Sequence, residues 1–256
     1  MRDMDIVRPQ YPIPTVEIRG HRMRDANSSM RSREMEIYRG TAKLSSAQTA
    51  ANPIVRLCTD WGYARRVVRY LMGLPVPLDT EDRRVLEQVV FSYFLALPRT
   101  HRVLFIGCDW YTKHYQRAFF SDRDYWTLDV SPKARRFGGT QHIVDGVERL
   151  ERHFAAGSVD LIFCNGVYGF GLDSPDPCER AIEACWSALR PGGYFVFGWD
   201  DIPARTPVPL DAIAALNLFE RFPVAALGSW RYLTATPYRH TYDFYRKAAL
   251  ETESPS

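Results

Sequence analysis

The sequence predicts an α/β protein: a doubly wound, mostly parallel sheet with an N-terminal helical extension. Two observations carry this. From Arg102 to Asp200, short apolar runs alternate with polar or amphipathic stretches of helical length, the pattern of parallel strands covered by helices on both faces. Before Arg102, apolar residues recur at three- and four-residue intervals with no strand-like run. The chain has 256 residues, 46% hydrophobic and 25% charged, enough to bury a sizeable core.

Residues 1–46 read as an irregular arm. Pro9, Pro12 and Pro14 hold RPQYPIPT extended, and HRMRDANSSMRSREMEIYRG is polar with little periodicity. Residues 47–99 read as a helical extension covering the active site. Its first helix, from about Ser46 to Met72, places Ile54, Leu57, Cys58, Trp61, Ala64, Val68 and Leu71 on one stripe. Its second starts with Asp79-Thr80 as the N-cap signal before Glu81-Asp82 and ends at Pro98. Trp61, Tyr63, Tyr70 and Tyr93 give the extension aromatic surface.

The core is expected over residues 100–250. Strands are predicted at RVLFIGC, DYWTLDV, QHIVDG, SVDLIFCNG and PGGYFVFGWD. Helices are predicted at KHYQRAFF, GVERLERHF, SPDPCERAIEACWSALR and LDAIAALNLFERF, and KARRFGGT reads as a connection. Ser174 serves as N-cap of the third of these, with Pro175 at its first position. PVAALGSWRYL and RHTYDFYRK read as two β segments forming a hairpin-like edge pair, and residues 251–256 as a disordered tail.

Several function classes recede at this level. No apolar run approaches the roughly 20 residues that span a bilayer, and the N-terminal residues hold no apolar signal segment. Five scattered cysteines lack the paired spacings of a disulfide framework or a zinc cluster, so a reducing, cytoplasmic setting without a metal is expected. The net charge of +3 is slight, and the basic runs ARRVVRY and KARRF read as solvated faces rather than nucleic-acid tracks.

Right-handed crossovers place all strand C-terminal ends on one edge, where ligands bind. The first strand ends at Gly107-Cys108-Asp109. The second ends at Asp129, 22 positions after Gly107. An acid about 20 residues beyond the first turn is placed to accept from a ribose diol. The third strand ends at Asp145-Gly146, where a carboxylate and the next N–H can meet an exocyclic amine and a ring nitrogen. The fourth ends at Asn165-Gly166-Val167-Tyr168, and the fifth follows LRPGG.

Taken in order, VLFIGC, the acid in TLDV, VDG before VERL, VDLIFCNG and LRPGGYFVFGW resemble a class I S-adenosylmethionine (SAM)-dependent methyltransferase over roughly residues 100–200. The resemblance implies a seven-stranded sheet, whose last strand inserts antiparallel beside the fifth, and SAM as cofactor with S-adenosylhomocysteine as product. It implies a cofactor site at Gly107, Cys108, Asp109, Tyr115, Asp129, Val130, Asp145, Gly146, Asn165 and Gly166. The opening motif departs from the family pattern. Where that pattern has an acid and then three spaced glycines, only Gly107 remains. A dinucleotide would need a glycine-rich turn for its pyrophosphate; SAM has none.

The expected activity is methyl transfer by in-line displacement to an O, N, S or C atom of a small molecule, such as a natural product, sugar or metabolite. The catalytic candidates are Tyr168, His240 and His114, beside Tyr115, Trp199 and Asp200. Asn165 and Tyr168 match two positions of the Asn/Asp-Pro-Pro-Tyr motif of nucleic-acid amino-methyltransferases, but both prolines are missing. Pro177-Cys178 falls at a helix start, too late for the nucleophile of a cytosine methyltransferase. The expected partner is a small-molecule acceptor, with no nucleic acid and no membrane, and a homodimer left open. The competing reading is a silent methyltransferase-fold protein that only binds.

Overall fold

A computed structural model describes residues 61–249 except 73, 75, 77 and 79. The expected arm at 1–46, the start of the first helix and the tail at 251–256 lie outside the described residues. Helix α1 spans Trp61–Leu71. Helix α2 is continuous from Glu81 to Leu95, but its middle turn, Val85–Val90, is π-helical. The strands are β1 (Arg102–Ile106), β2 (Asp124–Asp129), β3 (Gln141–Val144), β4 (Val159–Asn165), β5 (Leu189–Asp200), β6 (Glu220–Arg221), β7 (Arg231–Leu233) and β8 (His240–Arg246). Helices α3 (Tyr115–Phe119) and α4 (Pro175–Ala188) complete the regular elements, with 3-10 turns between them.

The sheet runs β3-β2-β1-β4-β5-β8-β6, and β7 pairs with β8 as well. Strands β1 to β5 are parallel, and β8 runs antiparallel beside β5. The two C-terminal β segments do pair antiparallel as a hairpin, β7 with β8. β8 is an interior strand, with β6 and β7 sharing its outer side, and among the described residues the sheet has eight strands rather than the expected seven. The residue types explain why β8 is interior: all but the last of its seven side chains are buried.

The period of two in each strand sorts the core into two layers. Leu104, Ile106, Ile162 and Phe195 pack on one face with Ile182 and Cys185 of α4. Val103, Phe105, Phe163 and Phe244 pack on the other with Phe91 and Phe94 of α2. Phe91 sits at the centre of this second layer, its ring 5.0–6.3 Å from those of Phe105, Tyr115, Phe119, Phe120 and Phe163. Burying one such ring contributes about 1.5–3 kcal/mol, which anchors α2 firmly over the sheet.

Three expected elements differ. GVERLERHF is a 3-10 turn, Val147–Arg152, because Arg149 leaves helical geometry (φ −123°, ψ 26°); its side chain binds Asp145. LDAIAALNLFERF forms two 3-10 turns separated at Ile213 and then enters β6, since Leu216 and Phe219 are drawn into the core. KARRFGGT, read as a connection, contains a 3-10 turn over Pro132–Phe137. Pro175 does open α4 after Ser174, though the Ser174 side chain makes no cap hydrogen bond.

Candidate active site

A cavity of about 380 Å³ opens at the C-terminal ends of β1, β2, β4 and β5. Its inner end is built on the turn after β1. Gly107 adopts φ +92°, and a Cβ there would lie 2.1 Å from the Asn165 carbonyl oxygen. The one glycine kept in this loop is thus the one that β4 requires. The rest of the turn is held by side chains. Asp109 N–H donates to Thr112 Oγ1 (3.2 Å), and that hydroxyl donates to Asp109 O (2.8 Å) or to Phe137 O (3.1 Å). Asp109 Oδ1 accepts from Trp110 N–H at 2.7 Å. Hydrogen-bonded side chains therefore set a conformation that glycines set elsewhere.

Asp129 ends β2 and lines the cavity. Its two oxygens accept from Cys108 N–H and Ser131 N–H, each at 2.8 Å. Each carboxylate oxygen has a second lone pair, so the group keeps acceptor capacity toward the cavity. The Cys108 thiol is pushed up to about 12 by burial and by the Asp129 charge, so it stays protonated. Asp109, Asn165 and Gly166 share this end. Gly166 has φ +69° and faces open space.

The outer end is walled by residues of four segments. Thr80, Asp82 and Arg83 come from the start of α2, Tyr111 from the loop after β1, Asp200 from the end of β5, and Tyr238 and His240 from the entry to β8. Asp82 and Arg83 are 2% and 7% exposed, an extreme burial for charged side chains. They are paired at 3.2 Å. Asp82 also accepts from Tyr238 O–H at 2.9 Å, and the Arg83 guanidinium stacks 4.1 Å over the Tyr111 ring. His240 Nδ1 lies 2.7 Å from Asp200 Oδ1, and its Nε2 lies 2.9 Å from Asn165 Oδ1.

The structure thus brings Gly107, Cys108, Asp109, Asp129, Asn165 and Gly166 together with Asp200 and His240. It does not bring the others. Tyr168 is buried among Phe197 and Trp199, and its hydroxyl donates to Val208 O, which places it in the core rather than in the cavity wall. His114 is likewise buried, against Tyr115 and Phe119, and burial with the Arg69 charge lowers its pKa to about 4. Tyr115 is fully buried and donates to Glu87 at 3.1 Å. Trp199 is buried, its indole N–H on Asp243. Val130 points to solvent, and Asp145 and Gly146 lie outside the cavity wall. The Asp145 carboxylate accepts from Gly146 N–H and from the side chains of Arg149 and His153, which tie it to the following turn.

Asp82, Arg83, Thr112 and Tyr238 were missed in the sequence. EDRR at a helix start reads as a solvated charge run. The one signal against that reading is its place directly before the apolar VLEQVVFSYF.

Residues 104–197, from within β1 to within β5, match the family described as a methyltransferase domain. An N-methyltransferase, NodS from Bradyrhizobium japonicum WM9, is 17% identical over 66% of this chain and 96% of its own, with a TM-score of 0.49. A TehB-like SAM-dependent methyltransferase from Corynebacterium glutamicum ATCC 13032 is 18% identical over 72% of this chain and 96% of its own, with a TM-score of 0.47. No curated protein matches the chain. Over residues 104–197 the chain thus carries a methyltransferase domain, the family its sequence resembles.

Proposed function

We propose that the chain methylates a small molecule held in the outer half of the cavity. The observation that carries this reading is the continuity of one cavity from the Gly107–Asp129 end to the Arg83–Asp200–His240 end. The residues at the inner end fit SAM. Asp129 offers a carboxylate where a ribose diol would donate, and Gly166 leaves open space beside it. Gly107, Cys108, Asp109, Asp129, Asn165 and Gly166 are the residues that would hold the cofactor. When bound, SAM supplies an electrophilic methyl group on a sulfonium.

The chain's own groups then have three tasks. The inner residues fix the cofactor end. The carboxylates of Asp109 and Asp129 favour a cationic ligand. Tyr111, Phe170 and Tyr238 offer aromatic wall to an acceptor, which must be held in line with the methyl. Of the three catalytic candidates only His240 reaches the cavity.

The cavity wall supports a small acceptor. The start of α2 adds Asp82 and Arg83 to the wall, and a cavity of this size suits a small acceptor. The nucleic-acid reading loses its second matching residue, since the Tyr168 ring is buried and cannot face a base. A reducing compartment suits the four described cysteines, all buried thiols.

The test has two steps. Calorimetry with SAM and S-adenosylhomocysteine should show micromolar binding; no heat at millimolar ligand would support the silent scaffold instead. Radiolabelled SAM should then transfer label to the small-molecule fraction of a cell extract. Label confined to the RNA, DNA or protein fraction would overturn the acceptor class.

A further inference from the structure

Asn165, Asp200 and His240 come from the ends of three neighbouring strands, β4, β5 and β8, and all three are buried: 5%, 8% and 4% exposed. The contact exists because β5 carries no side chain at the crossing point. Gly198 sits in register with Asn165, and a Cβ there would lie 2.0 Å from Asn165 Oδ1 and 3.1 Å from His240 Nε2.

Both imidazole nitrogens face oxygens, Asp200 Oδ1 at 2.7 Å and Asn165 Oδ1 at 2.9 Å. Oxygens of a carboxylate and of an amide carbonyl only accept. The arrangement is therefore satisfied by an imidazolium, which donates from both nitrogens. A neutral ring that keeps its proton on Nδ1, toward Asp200, has a bare Nε2. It is satisfied only if the Asn165 amide turns over and donates its N–H to Nε2. Among the described residues, the other end of that amide meets no hydrogen-bond partner, and Asn165 lines the cavity.

We propose that Asp200 and His240 form a positioning pair that sets which end of the Asn165 amide faces the cavity: the N–H₂ when His240 is charged, the carbonyl oxygen when it is neutral. This rests on the methyltransferase reading above, and it narrows the acceptor. A carbonyl oxygen beside the cofactor end receives a nucleophile that bears a hydrogen, an amine or a hydroxyl. An N–H₂ in the same place holds a group that only accepts. His240 itself is not the base, because both its nitrogens are engaged.

The charged and titratable groups around the ring are known. Tyr242 packs edge-on at 4.7 Å and Tyr238 lies at 6.3 Å. Asp82 and Arg83 of α2, Asp109 and Tyr111 of the turn after β1, and Asp129 of β2 line the same cavity. The Asp201–Arg239 ion pair (2.9 Å) flanks it in sequence. Among the charged groups of the described residues, Asp200 is the one that touches a ring nitrogen.

The test is side-chain NMR of the full-length protein, loaded with S-adenosylhomocysteine and titrated over about pH 5–9. The Asn165 side-chain amide resonances should shift with the same midpoint as the His240 ring nitrogens. In Asp200→Asn, the new amide can donate to Nδ1. The neutral ring then carries its proton on Nε2, so the Asn165 shift with pH should be lost while the His240 tautomer inverts. Asn165 resonances that stay fixed while His240 ionises overturn the proposal, as does a His240 that does not ionise in the range. Should Asp200→Asn fail to fold, the wild-type co-titration decides alone. Failure of S-adenosylhomocysteine to bind would instead overturn the methyltransferase reading, with the co-titration still readable on the free protein.

Discussion

At the scale of the residue, two positions shape the inner end of the cavity, Gly107 and Asp129. Gly107 combines a positive φ with a backbone contact that leaves no room for Cβ. Gly107→Ala is expected to cost about 1–3 kcal/mol from backbone strain alone, read as a lower thermal midpoint by calorimetry, together with weaker cofactor binding. Asp129→Ala should lower S-adenosylhomocysteine affinity at least tenfold, since the charged hydrogen bonds it offers a ribose are each worth about 1.5–3 kcal/mol; an unchanged affinity would reject the role. Asp145 behaves differently. Hydrogen bonds from His153 and then Arg149 hold its carboxyl well below the usual carboxylate range. A lowered folded-state pKa gives stabilisation that is complete above the unfolded value and is lost as pH falls through the folded one. Asp145→Asn should therefore lower the thermal midpoint at neutral pH, and the difference from the parent should narrow as the pH drops below about 4.

At the scale of the element, α2 is where reading from the sequence alone falls short. Its apolar stripe, Val85 to Phe94, is legible and correct, and it does bury itself in the aromatic layer. Its π-helical turn, Val85–Val90, is not legible, because nothing local in VLEQVV distinguishes it from α-helix. A π turn changes the phase between the helix start and the core-facing stripe. It lies between the Phe91 anchor and the Asp82-Arg83 pair that enters the cavity. Those charges are also tied to distant parts of the chain. Glu81 accepts from Ala235 N–H at 2.8 Å, and Asp82 accepts from Tyr238. Asp82→Ala leaves a buried arginine without its carboxylate and is expected to destabilise by about 3–5 kcal/mol. Chemical denaturation would measure this, and the double variant Asp82→Ala/Arg83→Met should recover part of the loss.

At the scale of the whole molecule, the alternation of strand and helix from β1 to β5 was legible because the central strands β1, β4 and β5 are buried on both sides and so read as apolar runs. The inner end of the site followed from it, since topology alone puts Gly107, Asp129 and Asn165 on one edge. The outer end did not follow. It depends on β8 lying beside β5 and on α2 adding Asp82 and Arg83 to the wall, contacts between parts of the chain far apart in sequence. Tyr168 and Tyr115 were misplaced for a related reason: an aromatic beside a strand end is equally suited to a pocket or to a core, and only the packing decides. The arm at residues 1–40 reads as polar and irregular. Its removal should leave the thermal midpoint within a few degrees, and a collapse of solubility would show that it belongs to the core.

The crossing of β4, β5 and β8 also has a consequence in time. His240 lies 75 positions from Asn165 and 40 from Asp200. Long separations close at greater entropic cost, so local pairings tend to come first. β1 and β2 can pair while β8 is still loose, and the contact across Gly198 then forms among the last in the refolding chain. Pulsed hydrogen exchange should find β1 and β2 protected before β8. In that interval the molecule would have a sheet, a cofactor edge and no means of orienting Asn165.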